Sequence, residues 1–186
     1  MTLEEKVSQM MNRAPAIPRL DIPEYDWWND GEDPYLTSRL GVEFVKGLQG
    51  NDPKYLKVVA TPKHYAVHSG PEPERHRFDA AAGERDLRET YLPAFRATVT
   101  EARAASVMCA YNRTNGEPCC ANKHLLDDIL RGEWGFNGYV VSDCGAIDDI
   151  YLRHHFVKTA KRHQRSLSKE AQTLSAAILT KHWFMQ

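Results

Sequence analysis

The chain has 186 residues, enough for one ordinary domain with a real core. Its 24 basic and 25 acidic residues leave a formal net charge of -1, which excludes a general attraction to polyanions such as nucleic acid. Hydrophobic content of 42% is that of a globular protein, and no apolar run approaches the roughly 20 residues that cross a bilayer.

The first residues, Met1 to Glu5, are acidic and amphipathic and do not read as a signal peptide, so the sequence leaves the compartment open. Thr2 and Glu5 have capping-box spacing, and Leu3, Val7, Met10 and Met11 form an apolar stripe at helical intervals. A segment broken by Pro15, Pro18 and Pro23 leads to Tyr25-Asp26-Trp27-Trp28-Asn29. Trp27 and Trp28 beside polar neighbours suit either a wall that stacks on sugar rings or ordinary core aromatics.

At Asp30-Gly31-Glu32-Asp33-Pro34 the texture changes with no linker between. Helical periodicity then runs from Tyr35 through Leu40, Phe44, Val45 and Leu48 and stops at Gly50. Leu56 to Thr61 reads as a strand ended by Pro62 and followed by Lys63 and His64. Ser69 to Phe78 is rich in proline and charge and reads as a long loop. Leu87, Tyr91, Phe95 and Val99, four apart, predict one helix over Glu84 to Ala104, with Arg85, Asp86, Arg88 and Glu89 on its solvated face.

Ser106 to Ala110 is a second short apolar strand, followed by Tyr111-Asn112-Arg113. Leu125 to Leu130 reads as a helix, Trp134 to Gly138 as a loop, and Tyr139 to Val141 as a third strand ending on Ser142 and Asp143. Asp143 fits two readings: a cap for the next helix, or a carboxylate aimed at a ligand. Three strands that alternate with helices and all end in polar residues point to an α/β fold with a ligand site at the strands' C-terminal ends.

Other chemistries lack their signatures. His64, His68 and His76 do not have metalloprotease spacing, because Tyr65 stands where the glutamate would and Pro71 and Pro73 break any helix. Cys109, Cys119, Cys120 and Cys144 lack paired C-x-x-C spacing, so neither a zinc site nor another metal is expected; they could be thiols, or Cys119 or Cys120 could join a disulfide. Dinucleotide, P-loop and serine-esterase fingerprints are missing, and no cofactor is expected.

Three stretches in order carry a family resemblance: Val58-Val59-Ala60-Thr61-Pro62-Lys63-His64-Tyr65, Ser106-Val107-Met108-Cys109-Ala110-Tyr111-Asn112 and Val140-Val141-Ser142-Asp143-Cys144-Gly145. They resemble the N-terminal barrel domain of glycoside hydrolase family 3, in its β-xylosidase and β-glucosidase branch, over residues 1–159. The resemblance implies a (β/α) TIM-type barrel and retaining hydrolysis of β-linked glycosides, with Asp143 as nucleophile. It implies Lys63 and His64 on substrate hydroxyls, Met108 and Tyr111 lining the sugar subsite, and a β-linked glycoside as partner; Trp28 joins them as a substrate-binding candidate. The residue that donates and accepts the proton has no counterpart that can be identified here.

The resemblance also implies a gap. In the family several barrel elements separate the Trp-Trp-Asn run from Gly-Glu-Asp-Pro-Tyr, whereas here Asn29 nearly abuts Gly31. About ninety residues are missing against a barrel of about 250 residues, so the expected fold is an incomplete barrel over 1–159. Such a fragment should be inactive alone, with a carbohydrate-binding remnant or a functionless gene fragment as alternatives. After Thr159 the likeness stops. Read one nucleotide earlier, permitted codons for this stretch spell a peptide containing Gly-Thr-Asp-Leu-Glu-Cys-Gly, a family-like run, so residues 160–186 read as a frameshifted tail.

Overall fold

The computed structural model describes residues 1–8, 13–22, 25–26, 33–52, 54–68, 70 and 72–157. Met10, Met11, Trp27, Trp28, Asn29 and the 160–186 tail lie outside the described residues. The chain divides into two units, Met1–Asp33 and Pro34–Gln186. In the first, helix α1 (Leu3–Ser8) opens with the expected capping box: the Thr2 N–H donates to Glu5 Oε2 (2.6 Å) and the Glu5 N–H to Thr2 Oγ1 (3.2 Å). Strand β1 (Arg13–Ala14) pairs antiparallel with β2 (Tyr25–Asp26).

The second unit begins with α2 (Pro34–Gln49), which ends at Gly50 with φ +74, the left-handed stop that glycine adopts freely. Ser38, Val42, Val45 and Gln49 make its buried stripe. Val42 and Val45 pack with Ala60, Ala97, Ala102 and Ala104, so α2 lies on α4 (Pro93–Thr100). Gln49 is buried because its amide is used twice: it donates to the Arg103 carbonyl (3.0 Å) and accepts from the Ala105 N–H (2.8 Å). That fixes the chain just before β4 (Ser106–Cys109).

β4 runs parallel to β7 (Tyr139–Ser142), with Ser106 opposite Tyr139 and Cys109 opposite Ser142. The expected strand Leu56 to Thr61 is not formed as such. Instead residues 60–65 lie along the other edge of β4, with Ser106 and Met108 N–H groups donating to the Ala60 and Pro62 carbonyls (3.3 and 3.0 Å). Pro62 has no N–H to return, so the ladder is half-made there. Pairing resumes one residue late, from Tyr65 N–H to the Met108 carbonyl (2.7 Å), and the extra residue forms a bulge at Lys63–His64.

The expected single helix over Glu84 to Ala104 is also divided. A short turn α3 (Glu84–Asp86) widens into a π-type turn at Leu87–Tyr91 before α4 starts at Pro93. Pro93 donates no hydrogen bond and crowds the carbonyl four residues back, so Leu92 reaches the Leu87 carbonyl five residues back (2.9 Å). The solvated face holds for Arg85, Asp86, Arg88 and Glu89, all exposed, and Arg88 also reaches both Glu133 oxygens (2.7 Å for one). The helix expected at Leu125 to Leu130 is a longer π-type helix, His124–Glu133, capped by Asn122 Oδ1 on the Leu125 N–H (2.9 Å).

The core is centred on Tyr65, fully buried beneath this helix: its hydroxyl donates to the Leu125 carbonyl (2.8 Å) and its ring meets Phe95 and Trp134 edge-on. A small sheet of β3 (Asp79–Ala80), β5 (Arg113–Thr114) and β6 (Glu117–Pro118) has its central strand, β5, directly after Tyr111 and Asn112. Among the described residues no helix is long and apolar enough to cross a membrane. The described fold is α/β, with parallel strand segments joined through helices.

Candidate active site

Each parallel segment ends in the polar residues that its sequence predicts: Lys63 and His64 at the bulge, Tyr111 and Asn112 after β4, Asp143 after β7. The structure brings His64, Tyr111 and Lys63 around Asp143, while Asn112 is buried behind them. His64 Nε2 lies 2.9 Å from Asp143 Oδ2, with both side chains mostly covered. The Tyr111 hydroxyl donates to the Cys144 carbonyl beside Asp143 (2.9 Å). The bulge turns His64 toward Asp143, since one extra residue reverses which way the following side chains face. Met108, half-buried on β4 opposite Val141, belongs to the same strand end, and exposed Lys63 adds a positive charge. Trp28 lies outside the described residues.

Asp143 does not cap the next helix. The residue entering α5 (Ala146–Leu152) is Gly145, at φ +78 with no side-chain bond, and Asp143 Oδ1 instead accepts the Cys144 N–H (2.7 Å). Burial pushes the Asp143 carboxyl upward, but the Cys144 N–H, the nearby Tyr111 hydroxyl, His64 and Lys63 outweigh it and hold the carboxyl below its ordinary range. Burial first, then neighbouring His68, pushes His64 down to about 4. At neutral pH the pair is therefore an ionised carboxylate beside a neutral imidazole. Burial pushes the Tyr111 phenol up to about 12, so it stays a neutral donor.

Sequence reading missed what holds Tyr111. His76 packs against its ring (centroids 4.3 Å), and Arg75 lies over it at 5.3 Å. His76 Nδ1 is 2.5 Å from Asp149 Oδ2, a buried carboxylate on α5, and His154 Nε2 is 2.7 Å from the Tyr111 carbonyl. Asn112, fully buried, donates to the Arg113 carbonyl (2.9 Å) and meets His68 Nδ1 at 3.1 Å. Cys109 and Cys120 form a disulfide, one of the two states the sequence left open; Cys119 is a buried thiol and Cys144 an exposed one. The disulfide ties the end of β4 to the segment after β6, directly behind Tyr111.

A cleft of about 860 Å³ between α2 and α4 has no such chemistry. Its acids are each held by an arginine: Glu101 by Arg39 (2.7 Å), Glu133 by Arg88 (2.7 Å) and Glu89 by Arg85 (3.0 Å).

A xylan 1,4-β-xylosidase of Xylanibacter ruminicola is 56% identical over 126 residues, which is 67% of this chain and 15% of that protein. A probable β-D-xylosidase of Arabidopsis thaliana aligns over 277 positions at 27% identity, covering 98% of this chain and 36% of its own length. A solved family 3 exo-β-xylosidase, in complex with a xylobiose aziridine activity-based probe, superposes with a TM-score of 0.70 at 38% identity over 73% of this chain and 18% of that one. The chain thus spans between 15% and 36% of the length of these proteins. The sequence model for the glycosyl hydrolase family 3 N terminal domain matches residues 18–169, so the chain belongs to that family.

Proposed function

We propose that this chain is an incomplete barrel domain of a family 3 β-xylosidase or β-glucosidase, carrying the nucleophile part of a retaining active site. The observation that carries the reading is Asp143, an ionised carboxylate at the end of a parallel strand, flanked by His64, Lys63 and Tyr111. A nucleophile must be unprotonated and open to the sugar's anomeric carbon, and donors must surround it to take the ring hydroxyls. Retaining hydrolysis also needs a second carboxyl about 5 Å from the first. Asp149, the other carboxylate of this cluster, is engaged by His76. The chain alone should therefore bind β-glycosides and turn them over negligibly.

Two observations support the internal gap. Of the 277 aligned positions with the Arabidopsis protein, 98% of 186 residues fill about 182, leaving about 95 with no residue of this chain opposite them. The chain's own division into units falls at Asp33–Pro34, next to the abrupt join after Asn29. The family match runs on to residue 169; the tail beyond Thr159 reads as out-of-frame sequence on the strength of its neighbouring-frame peptide alone, and the DNA of the locus tests that directly.

The functional reading is tested with a 2-fluoro-xyloside or 2-fluoro-glucoside carrying a good leaving group, followed by intact-mass measurement and peptide mapping. Slow single labelling on Asp143, lost in Asp143→Asn, is the expected result. Label on another carboxylate, or ordinary steady-state turnover by the monomer, would overturn it.

A further inference from the structure

Tyr111 is gripped at its carbonyl, its ring and its hydroxyl, and the first two grips lead to Asp149. At the main chain, the Asp149 carbonyl accepts the His154 N–H (2.7 Å), and His154 Nε2 donates to the Tyr111 carbonyl (2.7 Å). At the ring, Asp149 Oδ2 faces His76 Nδ1 (2.5 Å), and the His76 ring packs on the phenol with centroids 4.3 Å apart. Arg75 braces this second path. Its Nε–H donates to His76 Nε2 (3.2 Å), and its guanidinium carbon lies 5.3 Å from the centre of the Tyr111 ring. Arginine offers donors only, so Nε2 is the accepting nitrogen of His76 and the ring proton sits on Nδ1, toward Asp149. Glu72 holds Arg75 in turn (2.6 Å). The third grip is the hydroxyl, which donates to the carbonyl of Cys144, the residue next to Asp143.

Asp149 is 5% exposed, and its histidine comes from a loop 73 residues away. A buried, paired carboxylate is weak evidence of stabilisation, because apolar side chains fill such a space as well, so the pairing points to orientation. Asp149 and Asp143 also belong to one continuous piece of structure. The Ala146 N–H donates to the Asp143 carbonyl (3.0 Å) and the Asp149 N–H to the Gly145 carbonyl (3.1 Å). Tyr111 is therefore clamped along this piece, its ring toward Asp149 and its hydroxyl at the Asp143 end. We propose that His76 and Asp149 are positioning residues, which lock Tyr111 onto α5 and so fix its hydroxyl on the Cys144 carbonyl beside the Asp143 carboxylate. The inference rests on the nucleophile reading of Asp143 and gives that residue a support acting through Tyr111. A misplacement of about 1 Å at reacting atoms costs on the order of a hundredfold in rate, so the support carries a measurable effect.

The test reads the far end of the clamp in the full chain, as the NMR resonance of the Cys144 carbonyl carbon, with Tyr111→Phe setting its value when the hydroxyl is gone. The rate at which a saturating 2-fluoro-glycoside labels Asp143, and urea denaturation, are measured on the same variants. His76→Phe keeps a ring on Tyr111 but loses both hydrogen bonds. It and Asp149→Ala should move the Cys144 carbonyl toward its Tyr111→Phe value and slow labelling by about tenfold or more. Asp149→Asn still offers His76 Nδ1 an acceptor, so it should keep the parent's resonance and most of its rate. In a Tyr111→Phe background, His76→Phe should slow labelling no further, because the hydroxyl it positions is already absent. Lower stability with resonance and rate unmoved, equal damage from Asp149→Asn and Asp149→Ala, or penalties that multiply in the double variant would each overturn the proposal. Should the His76 and Asp149 variants fail to fold, partly exposed Arg75→Met decides. It removes the donor to His76 Nε2 and should move the Cys144 carbonyl the same way, and no movement overturns the proposal. A parent chain with no label on Asp143 sinks the glycosidase reading, and the carbonyl resonance then decides alone whether His76 and Asp149 hold Tyr111.

Discussion

His64 Nε2 faces Asp143 Oδ2 at 2.9 Å across the gap between the bulge and the end of β7, yet the imidazole is the partner that gives up its charge. Burial and the nearby His68 outweigh the carboxylate's attraction and push His64 down to about 4 from an ordinary 6.5. A histidine-resolved NMR titration should therefore show one ring with a midpoint near 4. Asp143→Asn removes a charge that favours the imidazolium, so it should move that midpoint lower still; a rise would contradict the arrangement. Both depressed groups act in the same direction on stability. The unfolded chain binds the His64 proton near 6.5 and the folded one only near 4, so this stabilisation is complete above about 6.5 and is lost as pH falls toward 4. Asp143 adds a loss at lower pH, as it is protonated through its depressed range.

The cysteines should report in three steps. Under native conditions a thiol reagent should titrate one group, exposed Cys144. Cys119 is fully buried and burial pushes it up to about 11, so it should react only after denaturation, and Cys109 and Cys120 only after reduction as well. Cys109→Ser or Cys120→Ser should lower unfolding free energy by about 2–4 kcal/mol, the usual range for opening a disulfide loop of this size, measured by urea denaturation. More than one fast-reacting thiol in the native chain would show the pairing wrong.

Tyr65→Phe should lower stability by about 1–2 kcal/mol in the same denaturation experiment. The hydroxyl is buried and donates to the Leu125 carbonyl at 2.8 Å, so phenylalanine removes one interior hydrogen bond. The ring packing on Phe95 and Trp134 is kept, which separates this effect from a cavity. A variant as stable as the parent would mean this hydrogen bond contributes nothing to the fold.

Much of this was legible because it is local. Apolar runs at 106–110 and 139–141 became the strands Ser106–Cys109 and Tyr139–Ser142, the Thr2–Glu5 box capped α1, and Gly50 stopped α2 where the periodicity ended. Leu56, Val58 and Val59 read as part of a strand, but a strand needs partners, and here they lie exposed. The Glu84 to Ala104 periodicity is real on both sides of Pro93, but the count ignored what a missing N–H does to the preceding turn. The clasp of His76 on Asp149 joins residues 73 apart and leaves no spacing signal at all.

Two glycines should respond to alanine with opposite signs, which tests the entry to the candidate site. At Gly138 a Cβ would stand 2.3 Å from the Ala105 carbonyl oxygen and 2.6 Å from the Phe136 ring, distances that force backbone to move. That carbonyl accepts the Tyr139 N–H (3.3 Å), the first hydrogen bond of the β4–β7 approach, so the displacement travels into the strand that ends at Asp143. Gly138→Ala should cost about 1–3 kcal/mol and also shift the His64 titration, since the bulge and the β7 end would no longer meet in register. Gly47 lies on α2 with nothing within 4 Å of its virtual Cβ and an ordinary helical backbone. Gly47→Ala should stabilise by about 0.5–1 kcal/mol through helix propensity alone and leave His64 untouched. If both variants lower stability equally, or if Gly138→Ala leaves the His64 midpoint near 4, the close approach at Ala105 does not position Asp143.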